Sequence, residues 1–422
     1  MRIRVEGGHA LNGSYQPAGS TNAALALLGA SLLTEHPVTL HNIPHTISVS
    51  FMRDLAQWLG ADIQTIAPHH WQLHTPQITR RTLSAEQTQG FVGALLYLAP
   101  ILIRRGYVRM EIDFPLHRIR THLEALRDLG QNLTIAEGAI EIRVAKWEYQ
   151  DIILTQSSVT ATAMVLMLAT CLGKETVIHN AASEPHIQEL AYFLELLGAQ
   201  IEGIGSNVLR VWGTDQLHGA KATVSFDHIE AASIAAIGAI CGGRIEINGI
   251  GRKDLRMIAR SYQRLGITLH LDEHALFVPN HALLTAPNRE EDVDSSIETA
   301  PWPGFPSDLV SIATVAATQT RGTTLIHEKL FNDRLLFVDK LNAMGAQIVL
   351  CDPHRVIVVG HTPLHAIYVD SPDVRIGLGM LGAALVAHGT TVIDNAETIG
   401  RSFEGVIEKL TQLGAQIRVE IS

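Results

Sequence analysis

The sequence predicts an α/β chain folded as two domains of three repeats each. One observation is a phrase that recurs six times, as LAQWLGADI, LRDLGQNL, LELLGAQI, YQRLGITL, LNAMGAQI and LTQLGAQI. Its glycines, Gly60, Gly130, Gly198, Gly266, Gly345 and Gly414, recur at roughly 70-residue intervals with one longer step, and such self-similarity marks a repeat architecture. A second phrase precedes each copy: PVTLHN, GYVRMEI, KETVIHN, GGRIEIN, GTTLIHE and GTTVIDN. Each reads as a tight turn and a short strand. The third observation is length. At 422 residues the chain exceeds what one hydrophobic core commonly serves. Each repeat has sheet and helix faces it cannot bury alone, and three repeats make a common domain size.

The elements follow in order. MRIRVE opens as a charged strand. GSTNAALALL then leads from a polar turn into an apolar helix over Ala23 to Leu33. Free N–H groups at that helix start suit either an anion or a cap from Ser20. Within each unit a strand, an amphipathic helix, a glycine turn and another strand follow. The glycine fits a left-handed helix end. Further strands are WQLHT, AIEIRVA, NVLRVWG, ALFVPN and RVIVVG. A second apolar helix spans Ala161 to Leu172. Both apolar runs are too short for a membrane span and read as buried helices.

Composition removes several function classes. The net charge is -10, with 32 Lys and Arg and no long basic run, which disfavours nucleic acid. Cys171, Cys241 and Cys351 have neither metal-ligand nor disulfide spacing, as expected of a cytoplasmic protein. The start is no secretory signal. Among 21 histidines, including His69, His70 and His186, there is no HExxH or compact Cys/His cluster, so no metal is expected. GxGxxG and Walker spacings are absent, so no nucleotide cofactor is expected either.

AGSTNAALAL, NAASEPHI, FPSDL, LFNDR, PDVRIG and GRSFEGVIEKL occur in that order on the sixfold repeat. In these segments the chain resembles the enolpyruvyl transferase family over nearly its whole length, most closely its sugar-nucleotide branch. The resemblance implies an inside-out α/β barrel. Residues 1–20 with 228–422 would form the catalytic domain and 21–227 an inserted domain, with the active site in the cleft between them. It implies transfer of enolpyruvyl from phosphoenolpyruvate to the 3-hydroxyl of UDP-N-acetylglucosamine, a step of peptidoglycan precursor synthesis that releases phosphate. The shikimate branch fits less well, because its lysine-serine and arginine-rich phosphate signatures are not evident.

Residue roles carry over by position. Asp308 matches the base for the sugar hydroxyl; alone it would read as a helix cap. Asn22 matches a substrate-side asparagine. Ser157, Ser158 and Val159 match a uridine and pyrophosphate contact, although the hydroxyls also suit a helix start. Arg334, Arg375 and Arg401 match cationic positions, where the planar guanidinium suits phosphate and carboxylate. Arg334 could instead hold a loop through an ion pair, and Glu184 could organise one.

Departures from the family pattern are as informative. Thr21 stands where the family has lysine, and a hydroxyl brings no charge. The acid-bearing loop reads VRMEIDFPLHRIR, without the usual cysteine. Asp113 is the acid candidate there, with Glu111 behind it, and fosfomycin would lack its usual site of alkylation. His117, Arg118 or Arg120 stands for the loop arginine. Val92, Gln156 and His228 replace three further cations. Two alternatives remain beside the leading reading: another alcohol or nucleoside acceptor, or a nucleotide-sugar-binding paralogue without turnover.

Overall fold

The computed structural model describes residues 1–286, 296–370 and 377–420. The chain divides into two compact units, Met1–Ala18 with Phe226–Ser422, and Gly19–Ser225.

The unit Gly19–Ser225 has three four-stranded sheets of one design. Tyr107–Glu111, for example, pairs in parallel with Thr82–Leu83 and antiparallel with Ala139–Arg143, which pairs antiparallel with Asn132–Ala136. The other two sheets are built on Val38–His41 and Gly173–His179. Lys221–Thr223, the unit's last strand, is the parallel partner of Val38–His41, so the end of the segment completes its first sheet.

The other unit repeats the design around Gly243–Asn248, Thr320–His327 and Thr390–Ile393. The chain start supplies strands to two of these sheets. Arg2–Glu6 lies between Thr390–Ile393 and Gln416–Glu420, and Leu11–Tyr15 runs parallel to Gly243–Asn248. Residues 1–18 are thereby fixed to sequence more than two hundred residues away.

Helices fill the middle of each unit. Thr21–Ser31 and Val159–Leu172 are buried nearly all round, as are His228–Cys241 and Val310–Thr318. Helices apolar on every face must be enclosed. The amphipathic helices, such as Ile47–Leu59 and Pro185–Leu197, bury one face only. Sheets lie outside and show the alternation of half-buried strands, as in Arg2–Glu6, where Ile3 and Val5 point inward. All the strand phrases read from the sequence are strands. The repeated glycine does end helices: Gly60 has φ 114° and Gly198 φ 119°. A Cβ at Gly60 would also come within 2.7 Å of the Gln77 carbonyl oxygen.

Candidate active site

In the unit Gly19–Ser225, the candidate residues gather at two helix starts and one loop. Ser20 is extended and buried, and its hydroxyl accepts from the Ala23 N–H at 3.4 Å. Thr21 turns inward and donates to the Thr46 hydroxyl at 3.3 Å. Thr46 in turn accepts from Val49 N–H and caps the next helix. Asn22, one residue on, is exposed. Ser20 is therefore a cap, and Thr21 supplies a structural link where the family resemblance calls for a cation.

The second helix start is similar. Ser158 caps Val159–Leu172 by accepting from Ala161 N–H at 3.3 Å, and Ser157 donates to the Ala181 carbonyl at 3.4 Å. Val159 is half-buried. Gln156 and Val92 bring no charge.

The loop after Tyr107–Glu111 carries Asp113, which is exposed. Its two carboxylate oxygens lie 3.6 Å from the point a Cβ would occupy on Gly90. Glu111 has different work: it accepts the Ala85 N–H at 3.1 Å, at the start of the short helix Ala85–Thr88. His117 and Arg118 lie in the 3-10 turn Leu116–Ile119, and Arg120 begins the helix Arg120–Asp128. The two arginines thus sit at a helix start. Arg118 is exposed, whereas Arg120 donates to Glu124 at 2.7 Å. Hydrogen bonds from Thr155 and Arg120 hold the Glu124 carboxyl below its ordinary range.

Two residues not singled out in the sequence tie this helix to the Ser157–Val159 segment. His122 is buried and its Nε2 lies 2.8 Å from the Thr160 hydroxyl. Burial pushes its pKa down to about 4, so the ring is neutral near pH 7. No spacing signal distinguishes this histidine from the others.

The second unit holds Asp308, Arg334 and Arg401. Asp308 sits in the 3-10 turn Ser307–Leu309 and makes no capping bond. Instead it receives Arg334 Nη1 at 2.9 Å. The arginine side chain is only 11% exposed and lies over Phe331 at 4.6 Å, while Asp308 is 49% exposed. The sequence alternatives for Arg334 meet here, since its ion pair is made to another candidate residue. Glu328, fully buried, fixes the surroundings. It accepts from Thr299 and Ser307 hydroxyls at 3.0 and 2.5 Å, and from Leu330 and Phe331 N–H groups at 2.8 and 3.1 Å. Nothing in its local sequence marks Glu328 for this role.

Asp227 caps the helix His228–Cys241 by accepting from Ile229 and Glu230 N–H groups. His228 is buried and meets Trp302 edge-to-face at 5.5 Å. Burial lowers its pKa to about 4 against the opposing effects of Asp254 and Asp308. Like Thr21, it is uncharged where the family resemblance calls for a cation. Arg401 is exposed at the end of the 3-10 turn Ala396–Arg401. Arg375 lies outside the described residues. Glu184 precedes the helix Pro185–Leu197, and its backbone carbonyl accepts from Ile187 and Gln188.

This arrangement offers a half-exposed carboxylate beside a sheltered arginine in one unit. In the other it offers an exposed loop carboxylate and two polar helix starts. Such groups suit proton transfer and anion binding. Comparison with known proteins gives the chemistry a name. A family model for EPSP synthase (3-phosphoshikimate 1-carboxyvinyltransferase) matches residues 5–410. The UDP-N-acetylglucosamine 1-carboxyvinyltransferase of Bradyrhizobium diazoefficiens is 40% identical over 418 residues, 98% of this chain and 97% of its own. That of Treponema pallidum is 38% identical, covering 98% of each chain. Among solved structures, the enolpyruvyl transferase NikO from Streptomyces tendae matches with TM-score 0.87 and 20% identity, over 99% of this chain and 98% of that one. An EPSP synthase from Acinetobacter baumannii matches with TM-score 0.76 and 16% identity, over the whole of both chains. These two structures bear on the fold, which is the inside-out α/β fold they share.

Proposed function

The chain belongs to the enolpyruvyl transferase family, and on that premise we propose that it carries enolpyruvyl from phosphoenolpyruvate to the 3-hydroxyl of UDP-N-acetylglucosamine, in peptidoglycan precursor synthesis. The carrying observation is the full-length likeness to curated enzymes of that name, at 40% identity. No helix among the described residues is long and apolar enough to cross a membrane. A cytoplasmic enzyme with two small-molecule substrates fits this reading.

Asp308 is assigned as the base. Its carboxylate takes the proton of the sugar hydroxyl as that oxygen bonds to C2 of phosphoenolpyruvate. Asp113 is assigned as the acid that protonates the C3 methylene, making a methyl group. The resulting tetrahedral adduct breaks its C2–O bond to phosphate and returns one methyl proton to the carboxylate of Asp113, which restores the double bond. Arginines hold the phosphate and carboxylate through these steps, where fixed donors favour developing charge. Arg334 orients Asp308 through their ion pair. Arg401, Arg375, Arg118 and Arg120 are the remaining cations assigned to anion binding. Asn22 and the Ser157–Val159 segment are assigned to the acceptor. On this reading residues 1–18 with 226–422 hold the base, and 19–225 the acid and the nucleotide contacts.

The neutral Thr21 and His228 favour one second reading, an acceptor with less negative charge. Purified protein supplied with phosphoenolpyruvate and a panel of alcohols, nucleosides and UDP-N-acetylglucosamine decides between them by phosphate release. Turnover of another acceptor alone would overturn the UDP-N-acetylglucosamine assignment. Binding of the nucleotide sugar without any enolpyruvyl product would overturn the enzyme reading.

A further inference from the structure

The helix Arg252–Gln263 takes no part in the site above. It buries Leu255, Ile258, Ala259 and Tyr262, and leaves Arg252, Arg256 and Arg260 exposed. A spacing of four places the three arginines on one face, about 6 Å apart along the axis. Among the described residues, neither they nor Lys253 make a side-chain hydrogen bond or ion pair. Like charges at this spacing repel. In a chain of net charge -10, a helix with four cations and one acid, Asp254, is a local reversal of sign.

The row is also one wall of a cavity of about 720 Å³, a size suited to a small ligand. Leu269, Leu271, Trp302 and Pro303 line its other side. The cavity therefore joins anion-binding side chains to an apolar, partly aromatic surface. We propose that it binds a nucleoside polyphosphate, with phosphates along the arginine row and the base against Trp302.

Each part of that ligand has its reason. Guanidinium groups present planar forks that match phosphate oxygens. A row roughly 12 Å long exceeds one phosphate and accommodates a chain of them with its sugar. Aromatic side chains stack on bases of any sequence. The His228 ring meets Trp302 edge-to-face, which fixes the indole from the protein side. A membrane surface or a flat protein face fits a concave wall less well. Asp272 and Glu273 line a neighbouring hollow with Arg252, Lys253 and Arg256, so Arg260, which lies outside that hollow, and Arg256, which lines both, are the arginines to test. Trp302 lies six residues before Asp308, and the Asp308 charge reaches His228. An occupant would thus touch the segment that carries the proposed base, and the cavity becomes a place for an effector.

Calorimetry with ATP, run in saturating UDP-N-acetylglucosamine to fill any nucleotide-sugar site, tests the assignment. The wild-type protein should bind ATP with Kd below about 1 mM. The double variant Arg256→Glu, Arg260→Glu should weaken binding about tenfold or more, while KM for the substrates stays unchanged. Trp302→Ala should weaken ATP several-fold and leave inorganic tripolyphosphate unaffected. The proposal is overturned by no binding at 1 mM ATP (about the weakest affinity such a row should give), by undiminished binding in the double variant, or by tripolyphosphate binding as tightly as ATP. The arginine variants decide the matter even if the nucleotide sugar does not bind, so the test stands apart from the proposed reaction.

Discussion

Replacing Asp308 by Asn tests the assigned base with little disturbance of the fold. The amide oxygen can still accept from Arg334 Nη1, which now bonds Asp308 at 2.9 Å. What disappears is the charge of the acceptor and its capacity to take a proton. Asp308 is 49% exposed, so solvent already screens the ion pair, and its loss should cost about 1 kcal/mol of stability. General base catalysis is worth roughly 10²–10⁴ in rate, or about 3–5 kcal/mol of barrier. Turnover should therefore fall by about that factor while stability changes little. The assay is steady-state phosphate release at saturating substrates, paired with a thermal melt. KM for UDP-N-acetylglucosamine should stay within a few-fold, because the lost interaction acts on the transition state. A folded Asp308→Asn protein with kcat within about threefold of wild type would refute the assignment, since no base contribution is that small. A large rise in KM at unchanged kcat would make Asp308 a binding residue instead.

Asp113→Asn should lose most turnover with little change in substrate binding, whereas Glu111→Gln should have the smaller effect, because Glu111 serves the Ala85 N–H; rapid-quench turnover and calorimetry separate the two. The chain has no cysteine between Tyr107 and Arg120, so incubation with fosfomycin should leave phosphate release intact and add no mass to that segment. Glu328→Ala should lower stability by about 2–3 kcal/mol in denaturant melts, since it strands two buried hydroxyls and two partly buried N–H groups. His122 and His228 have folded pKa values of about 4 against roughly 6.5 unfolded, so the unfolded chain binds more protons between those values. Their contribution is fully present above pH 6.5 and declines as pH falls toward 4, by up to about 3 kcal/mol each; a melt series in which His122→Asn and His228→Asn do not flatten that decline would contradict their neutral burial.

The fold was legible because the repeats wrote it six times over. Gly60 and Gly198 end helices with positive φ, as their place in the repeated phrase implied. The uncharged, largely apolar composition of Val159–Leu172 signalled near-complete burial without any knowledge of its neighbours. Side-chain partners were less legible, since they depend on contacts between distant segments. Arg334 and Asp308 are 26 residues apart, and only the fold shows that they pair. Glu328 gathers groups from residues 299, 307, 330 and 331, and a lone glutamate after a strand gives no hint of it. The converse holds for Glu111: its charge suggested chemistry, and its bond to Ala85 N–H is structural.

The neutral residues at Thr21 and His228 are parts of the packing as well as missing charges. Thr21 is buried and joined to Thr46, the cap of the following helix, so the residue beside Asn22 connects two helix starts. An ammonium there would have to leave that position for solvent or be desolvated, and desolvation of an unpaired charge is costly. His228 is enclosed against Trp302, and burial opposes a positive charge there too. At each position where the family resemblance calls for a cation, the chain has an uncharged internal contact. Phosphate and carboxylate must still be held if phosphoenolpyruvate is the donor, because a helix start offers only a fraction of a full charge. The requirement then falls on side chains that remain free to meet an anion. Arg118 and Arg401 are exposed, while Arg120 is engaged with Glu124 and Arg334 with Asp308. If the proposed assignment holds, Arg118 and Arg401 meet the anion from exposed positions, and substrate affinity should fall measurably as salt rises.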